Sequence, residues 1–91
     1  MRKKRSESRI IFEVLSIISG ESRCNVSVIL RRANLSYGKF KEIEINLLQK
    51  GLIVKEMNNG KPLYSITPEG RDFLKEWRRF KRLMEMYGFE P

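Results

Sequence analysis

Residues 35–51 read LSYGKFKEIEINLLQKG, and the rest of the chain is arranged around them. Ser36 suits an N-cap, because its hydroxyl can accept from a backbone N–H left free in the first turn. Gly51 suits the position just past the end, where a left-handed backbone closes a helix without a Cβ penalty. Between them Phe40, Ile43, Leu47 and Leu48 fall on one helical stripe, which predicts a core-facing side. The other face carries Gly38, Lys39, Glu42, Asn46 and Gln49. Small, amide and basic groups on one polar face suit base edges and phosphates. The same pattern also describes an ordinary amphipathic helix with a solvated face. Glu42 and Glu44 would repel phosphates, and Ile45 points outward with nothing to cover it. The flanking sequence has to decide.

On the N-terminal side, Ser27 is read as the cap of a short helix over 28–33, with Arg31 and Arg32 leaving it toward solvent. The turn Asn34-Leu35-Ser36 joins it to the central helix, with Asn34 suited to a left-handed conformation and Leu35 to plugging the corner. Helix, three-residue turn, helix is the helix-turn-helix arrangement. Upstream, Ile10, Ile11, Val14, Leu15 and Ile18 recur at helical spacing over 6–19, and Gly20 stops the helix. Phe12 and Ile17 lie off that stripe, so a second buried side is expected, against another subunit. Residues 21–26 leave room for one short strand at 23–25.

On the C-terminal side the period changes to extended. Leu52-Ile53-Val54 and Leu63-Tyr64-Ser65-Ile66 flank Asn59-Gly60, a pair that supplies the two positive φ angles of a tight hairpin turn. That register sets Ile53 opposite Ile66 and Lys55 opposite Tyr64. Pro62 cannot donate to a ladder and is expected on an edge strand. Thr67-Pro68-Glu69 then opens a helix that runs to about Tyr87: Thr caps, Pro is pre-set for the first turn, and Glu complements the dipole. Phe73, Trp77, Phe80, Met84 and Tyr87 are spaced 4, 3, 4, 3, the seam of a coiled coil. The seam can pack against the chain's own helix over 6–19 or pair with the same helix of a second copy; so many large side chains exceed what a small monomer covers, so the second copy is expected.

Composition narrows the function. Lys plus Arg number 19 against 11 Asp plus Glu, a net charge of +8, which favours a polyanionic partner: DNA, RNA or an anionic membrane surface. MRKKR at 1–5 forms a basic arm of the kind that solubilises or touches nucleic acid. With no histidine, one cysteine (Cys24) and one aspartate (Asp72), the chain offers no histidine-based triad and no zinc cluster. Its glycines form no phosphate-cradling loop. No metal, cofactor or small-molecule ligand is evident, and the reading is not of an enzyme. The apolar run near Val14 to Ile18 is too short to span a bilayer, and the N-terminus lacks a secretory pattern. No membrane partner and a cytoplasmic, nucleoid-associated protein are therefore expected. Cys24 reads as a small buried residue.

The stretch Tyr64-Ser65-Ile66-Thr67-Pro68-Glu69-Gly70 resembles the "Tyr-x-Leu/Ile-Thr-x-x-Gly" segment of prokaryotic winged helix-turn-helix regulators. Leu47-Leu48-Gln49-Lys50-Gly51-Leu52-Ile53 resembles their "Leu-x-x-x-Gly-Leu-Ile" junction. The chain as a whole is similar to small archaeal winged-helix proteins of the 10-kDa chromatin-protein and transcriptional-regulator type. The resemblance implies an α+β, mostly α fold, with the winged helix-turn-helix over 6–67 and a dimerisation helix and tail over 68–91 pairing as an antiparallel coiled coil. It implies a homodimer on double-stranded DNA. Ser36, Tyr37, Lys39 and Asn46 are then expected at the major groove, Arg31, Arg32 and Lys41 on phosphates, and Asn59 and Lys61 on the neighbouring backbone or minor groove. Glu44 departs from the pattern, since relatives tend to be apolar there, and it leaves the rotation of the helix open. A sequence-independent architectural role, or a protein-interaction module using Ile45 and the aromatic seam, are the alternatives.

Overall fold

The computed structural model describes residues 5–90. Seven elements follow in chain order: α1 (Glu7–Ser19), β1 (Cys24–Asn25), α2 (Val26–Ala33), α3 (Tyr37–Gln49), β2 (Ile53–Asn58), β3 (Lys61–Ile66) and α4 (Pro68–Met86). The basic arm lies outside the described residues except for Arg5.

The helix ends obey the local chemistry of their residues. Ser6, Ser36 and Thr67 each accept from a backbone N–H in the first turn of α1, α3 and α4. The α2 helix begins two residues earlier than expected. Its cap is Asn25, whose Oδ1 takes the Val28 N–H at 2.9 Å, while Ser27 lies exposed inside the first turn. Asn25 also closes β1, so one residue ends the strand and starts the helix. The turn into α3 passes through Asn34 at φ 54°, as its short polar side chain allows.

The hairpin keeps the expected register, with Ile53 opposite Ile66 and Lys55 opposite Tyr64. Asn59 and Gly60 take φ of 52° and 78°. The sheet order is β1-β3-β2, so β3 is central and Pro62 is not on an edge strand. It is tolerated because β1 pairs only with Leu63 and Tyr64. Beyond that short strand the missing N–H has no ladder to break.

The core joins Val14, Leu15 and Ile18 of α1 to Ile29 of α2, Phe40, Ile43 and Leu47 of α3, and Ile53 and Tyr64 of the hairpin. Side chains of this kind each contribute about 1.5–3 kcal/mol when fully buried. Cys24 is buried among them, and burial pushes its thiol pKa up. Contrary to expectation, the second side of α1 meets its own chain: Phe12 stacks on Trp77 of α4 with ring centroids 5.6 Å apart.

The start of α4 is clasped to the end of α3. Thr67 Oγ1 donates to the Gly51 carbonyl at 2.6 Å and accepts from Gly70 N at 2.9 Å. Gly70 lies against the Leu52 carbonyl, where any Cβ would collide with backbone. The Thr-x-x-Gly spacing is thus a joint between the wing and α4, and it fixes how both leave the core.

Candidate nucleic-acid interface

Helix α3 is held by Phe40, Ile43, Glu44 and Leu47, all buried. Its opposite crest, at helical spacing, is Gly38, Glu42, Ile45 and Gln49, all exposed. Ile45, 53% exposed, stands in the middle of the crest. The expected reading residues divide between the two flanks. Ser36 lies exposed at the cap and Tyr37 beside it, 58% exposed. Lys39 and Asn46 lie on the far flank, both half-buried, and Lys39 Nζ is 3.8 Å from Glu7. Lys41 lies on Tyr37's flank, its ammonium 5.8 Å from the centre of the Tyr37 ring.

The cations expected on phosphates differ in how free they are. Arg32 is 3.5 Å from Glu21 and Lys41 2.6 Å from Glu44. Arg31 on α2 and Lys61 at the hairpin tip are exposed and have no ion-pair partner among the described residues. Asn59 is exposed at the tip beside Lys61. The fold thus gathers Ser36, Tyr37, Lys39 and Lys41 on the first turns of α3, while Asn59 and Lys61 stand apart on the wing.

Glu44 is the departure that the sequence flagged, and it does not face phosphates. Only 2% exposed, its carboxylate accepts from the Tyr64 hydroxyl and pairs with Lys41 and with Lys55 at 3.2 Å. Burial by itself would raise its pKa. The bonds from Lys41, Tyr64 and Lys55 outweigh that and hold it below the ordinary carboxylate value. Tyr64 is pushed well above a normal phenol, by burial and then by Glu44. Lys41 is pushed up by the Glu44 bond. One buried carboxylate therefore fastens α3 to both strands of the wing. A signal was present in the sequence: Phe40, Glu44 and Leu47 share the apolar spacing, and Lys55 was already paired with Tyr64.

Arg5 was also unforeseen. Its guanidinium bonds Glu13 and the carbonyls of Ala33 at 2.7 Å and Asn34 at 3.2 Å. A cation there complements the negative end of α2. These bonds also fix Arg5 beside the turn into α3.

Two helices joined by a three-residue turn, with a β-hairpin following the second, define a winged helix-turn-helix. A family profile described as winged helix-turn-helix matches residues 4–85, and the chain belongs to that family. No curated protein sequence matches it. Among solved structures it is similar to Sso10a-2, a DNA-binding protein from Sulfolobus solfataricus, with 20% identity, a TM-score of 0.74, and coverage of 91% of this chain and 88% of that one. A PadR family transcription regulator from Clostridium difficile has 25% identity and a TM-score of 0.71, covering 86% of this chain and 96% of that one. BpsR of Bordetella bronchiseptica, whose DNA binding is regulated by 6-hydroxynicotinic acid, has 19% identity and a TM-score of 0.78, covering 90% of this chain and 63% of that one. No helix among the described residues is long and apolar enough to cross a membrane.

Proposed function

We propose that the protein is a homodimeric double-stranded DNA-binding protein that acts as a transcriptional regulator. The observation that carries this is the open crest of α3, with Arg31 on the preceding helix and Lys61 at the wing tip, both exposed and neither ion-paired among the described residues. A helix with one buried side and one open side fits a major groove, and the flanking cations fit phosphates. Gln49 and Asn46 carry amides that can pair with an adenine edge, and Ile45 can meet a thymine methyl. The PadR-type and Sso10a-2 likenesses support the same reading.

The second copy is proposed to seat on the outer face of α4, where Phe73, Phe80, Leu83 and Tyr87 are exposed. Trp77 and Met84, expected on the same seam, are half-buried in their own chain, so they flank the dimer face. Two copies present two recognition helices, and these should read half-sites related by a two-fold axis.

A sequence-independent architectural role is the second reading. It is favoured by one observation: Lys39 and Lys41 are held in ion pairs, which leaves few free groups to discriminate bases. Selection from a random duplex pool, with competition binding at two salt concentrations, separates the two. A regulator enriches an inverted repeat and binds it about a thousandfold more tightly than random duplex. Tight binding with no enriched motif establishes the architectural role instead. No binding at low salt refutes both.

A further inference from the structure

Helix α4 carries a second charged feature, which the dimer and the recognition helix do not use. Arg71, Lys75, Arg78 and Arg82 recur at i, i+4, i+7 and i+11, so they share one side of the helix. All four are exposed. None has an ion-pair partner among the described residues. The contrast with α3 is direct, because there Lys39 and Lys41 each hold a carboxylate. Arg79, just outside the stripe, is neutralised by Glu76 at 3.2 Å. Asp72 and Glu85 border it near its two ends, and neither is ion-paired to it.

We propose that this stripe is a second duplex-binding surface, which takes the phosphate backbone of a DNA segment other than the one on α3 and the wing. This rests on the reading of the α3 face as DNA-binding. Like charges at these spacings repel one another along a helix, and a polyanion relieves that repulsion. Eleven residues at a rise of 1.5 Å make the stripe about 16 Å long. Duplex DNA offers a phosphate charge every ~1.7 Å of its axis, so a rod of this length always has phosphates opposite its cations. The stripe consists of cations alone, which meet phosphates at any sequence, so the contact we propose is with the backbone and is sequence-independent. A membrane surface fits less well. Exposed Phe73, Phe80 and Leu83 project roughly 150° away from the stripe on a helix of 3.6 residues per turn, so one flat surface cannot take both.

The test compares two variants that each lose three positive charges. One is Lys75→Gln/Arg78→Gln/Arg82→Gln. The other removes paired arginines, Arg9→Gln/Arg23→Gln/Arg79→Gln. The protein is saturated on an immobilised duplex, and capture of a fluorescent second duplex is measured against salt. The parent and the paired-arginine variant should capture it. The stripe variant should lose capture at least tenfold, with the salt slope shallower by about 2 to 3 at roughly 0.9 per phosphate contact. Equal capture by the two variants overturns the proposal, as does a parent that binds one duplex and captures no second. Arg31→Ala/Lys61→Ala tests the α3 face separately. If it leaves first-duplex affinity unchanged while the stripe variant loses binding, the recognition-helix reading fails and the stripe stands. Stripe-dependent binding to phosphatidylglycerol vesicles, without stripe-dependent capture of duplex, assigns the surface to membranes and overturns the proposal.

Discussion

Glu44→Ala is the sharpest test of how the wing is fastened to α3. Three groups lose a partner. The Tyr64 hydroxyl is buried with its ring and cannot reach water, so an unmade bond there costs about 1–3 kcal/mol. Lys41 and Lys55 keep 39% and 31% of their side chains exposed, so both ammoniums can hydrate. That makes the ~3–5 kcal/mol typical of a broken buried pair an upper limit. The deleted side-chain volume adds on the order of 1 kcal/mol. The expected loss is therefore about 2–4 kcal/mol, a large part of the ~5–15 kcal/mol that holds a small domain together. Urea unfolding of the parent, Glu44→Ala, Tyr64→Phe and the double variant measures it. Tyr64→Phe leaves the carboxylate with its two lysines and should cost less. The double variant should fall short of the sum by about 1 kcal/mol or more, because the two side chains share a bond. A Glu44→Ala protein within about 0.5 kcal/mol of the parent, the range of a surface substitution, refutes the account, and so does simple additivity.

The same carboxylate predicts an acid limit. Its folded-state pKa lies below the ordinary value of 4.5. Above pH 4.5 it is ionised in both states and its stabilisation is complete. As the pH falls below 4.5 the unfolded chain takes up the proton first, so the stabilisation declines and is gone once the folded value is passed. Glu44→Gln should flatten this part of the stability–pH curve, and an unchanged curve counts against the network.

Three further outcomes follow from other parts of the fold. Phe80→Glu should give a monomer by sedimentation while the parent dimerises at tens of micromolar, an order-of-magnitude choice for a modest interface; a parent that is monomeric there rejects the α4 face as the dimer seam. Trp77→Glu is the poorer probe, since Trp77 also stacks on Phe12 and its loss would damage the fold. Lys61→Ala should weaken binding similarly across DNA sequences and reduce the salt slope by about 1, and an unmoved slope takes the wing tip off the DNA. Gly70→Ala should destabilise by about 1–3 kcal/mol, because its Cβ would collide with the Leu52 carbonyl; Gly38→Ala, helical and with nothing near its Cβ, should instead raise stability by up to about 1 kcal/mol.

Where a residue's behaviour depends on its immediate neighbours, the sequence was legible. The caps at Ser36 and Thr67, the left-handed Asn34 and the Asn59-Gly60 turn each follow from local backbone chemistry, and the register Lys55–Tyr64 follows from the turn. What escaped depends on tertiary contact. Pro62 could not reveal that β1 is short enough to leave it room in a central strand. Phe12 could not reveal that Trp77, rather than a second copy, covers it. Arg5 reads as part of a basic tail until α2 supplies carbonyls for it.

Glu44 shows why the site was harder to read than the fold. On an isolated helix a glutamate is assigned to the polar face, and here that choice sets the rotation of everything beside it. Turning Glu44 inward moves the crest to Gly38, Glu42, Ile45 and Gln49 and carries Lys39 and Asn46 to a flank. It also ties up Lys41, which sequence alone gives to phosphates, and Lys55, so both instead hold the wing. The consequence for recognition is specific. In the proposed complex, charge attraction for the duplex on α3 then depends on Arg31 and Lys61, whereas any reading of bases depends on the nearly uncharged crest. Salt should therefore change affinity strongly and sequence preference little. A preference that faded in parallel with affinity as salt rose would mean that the paired lysines, not the crest, read the bases.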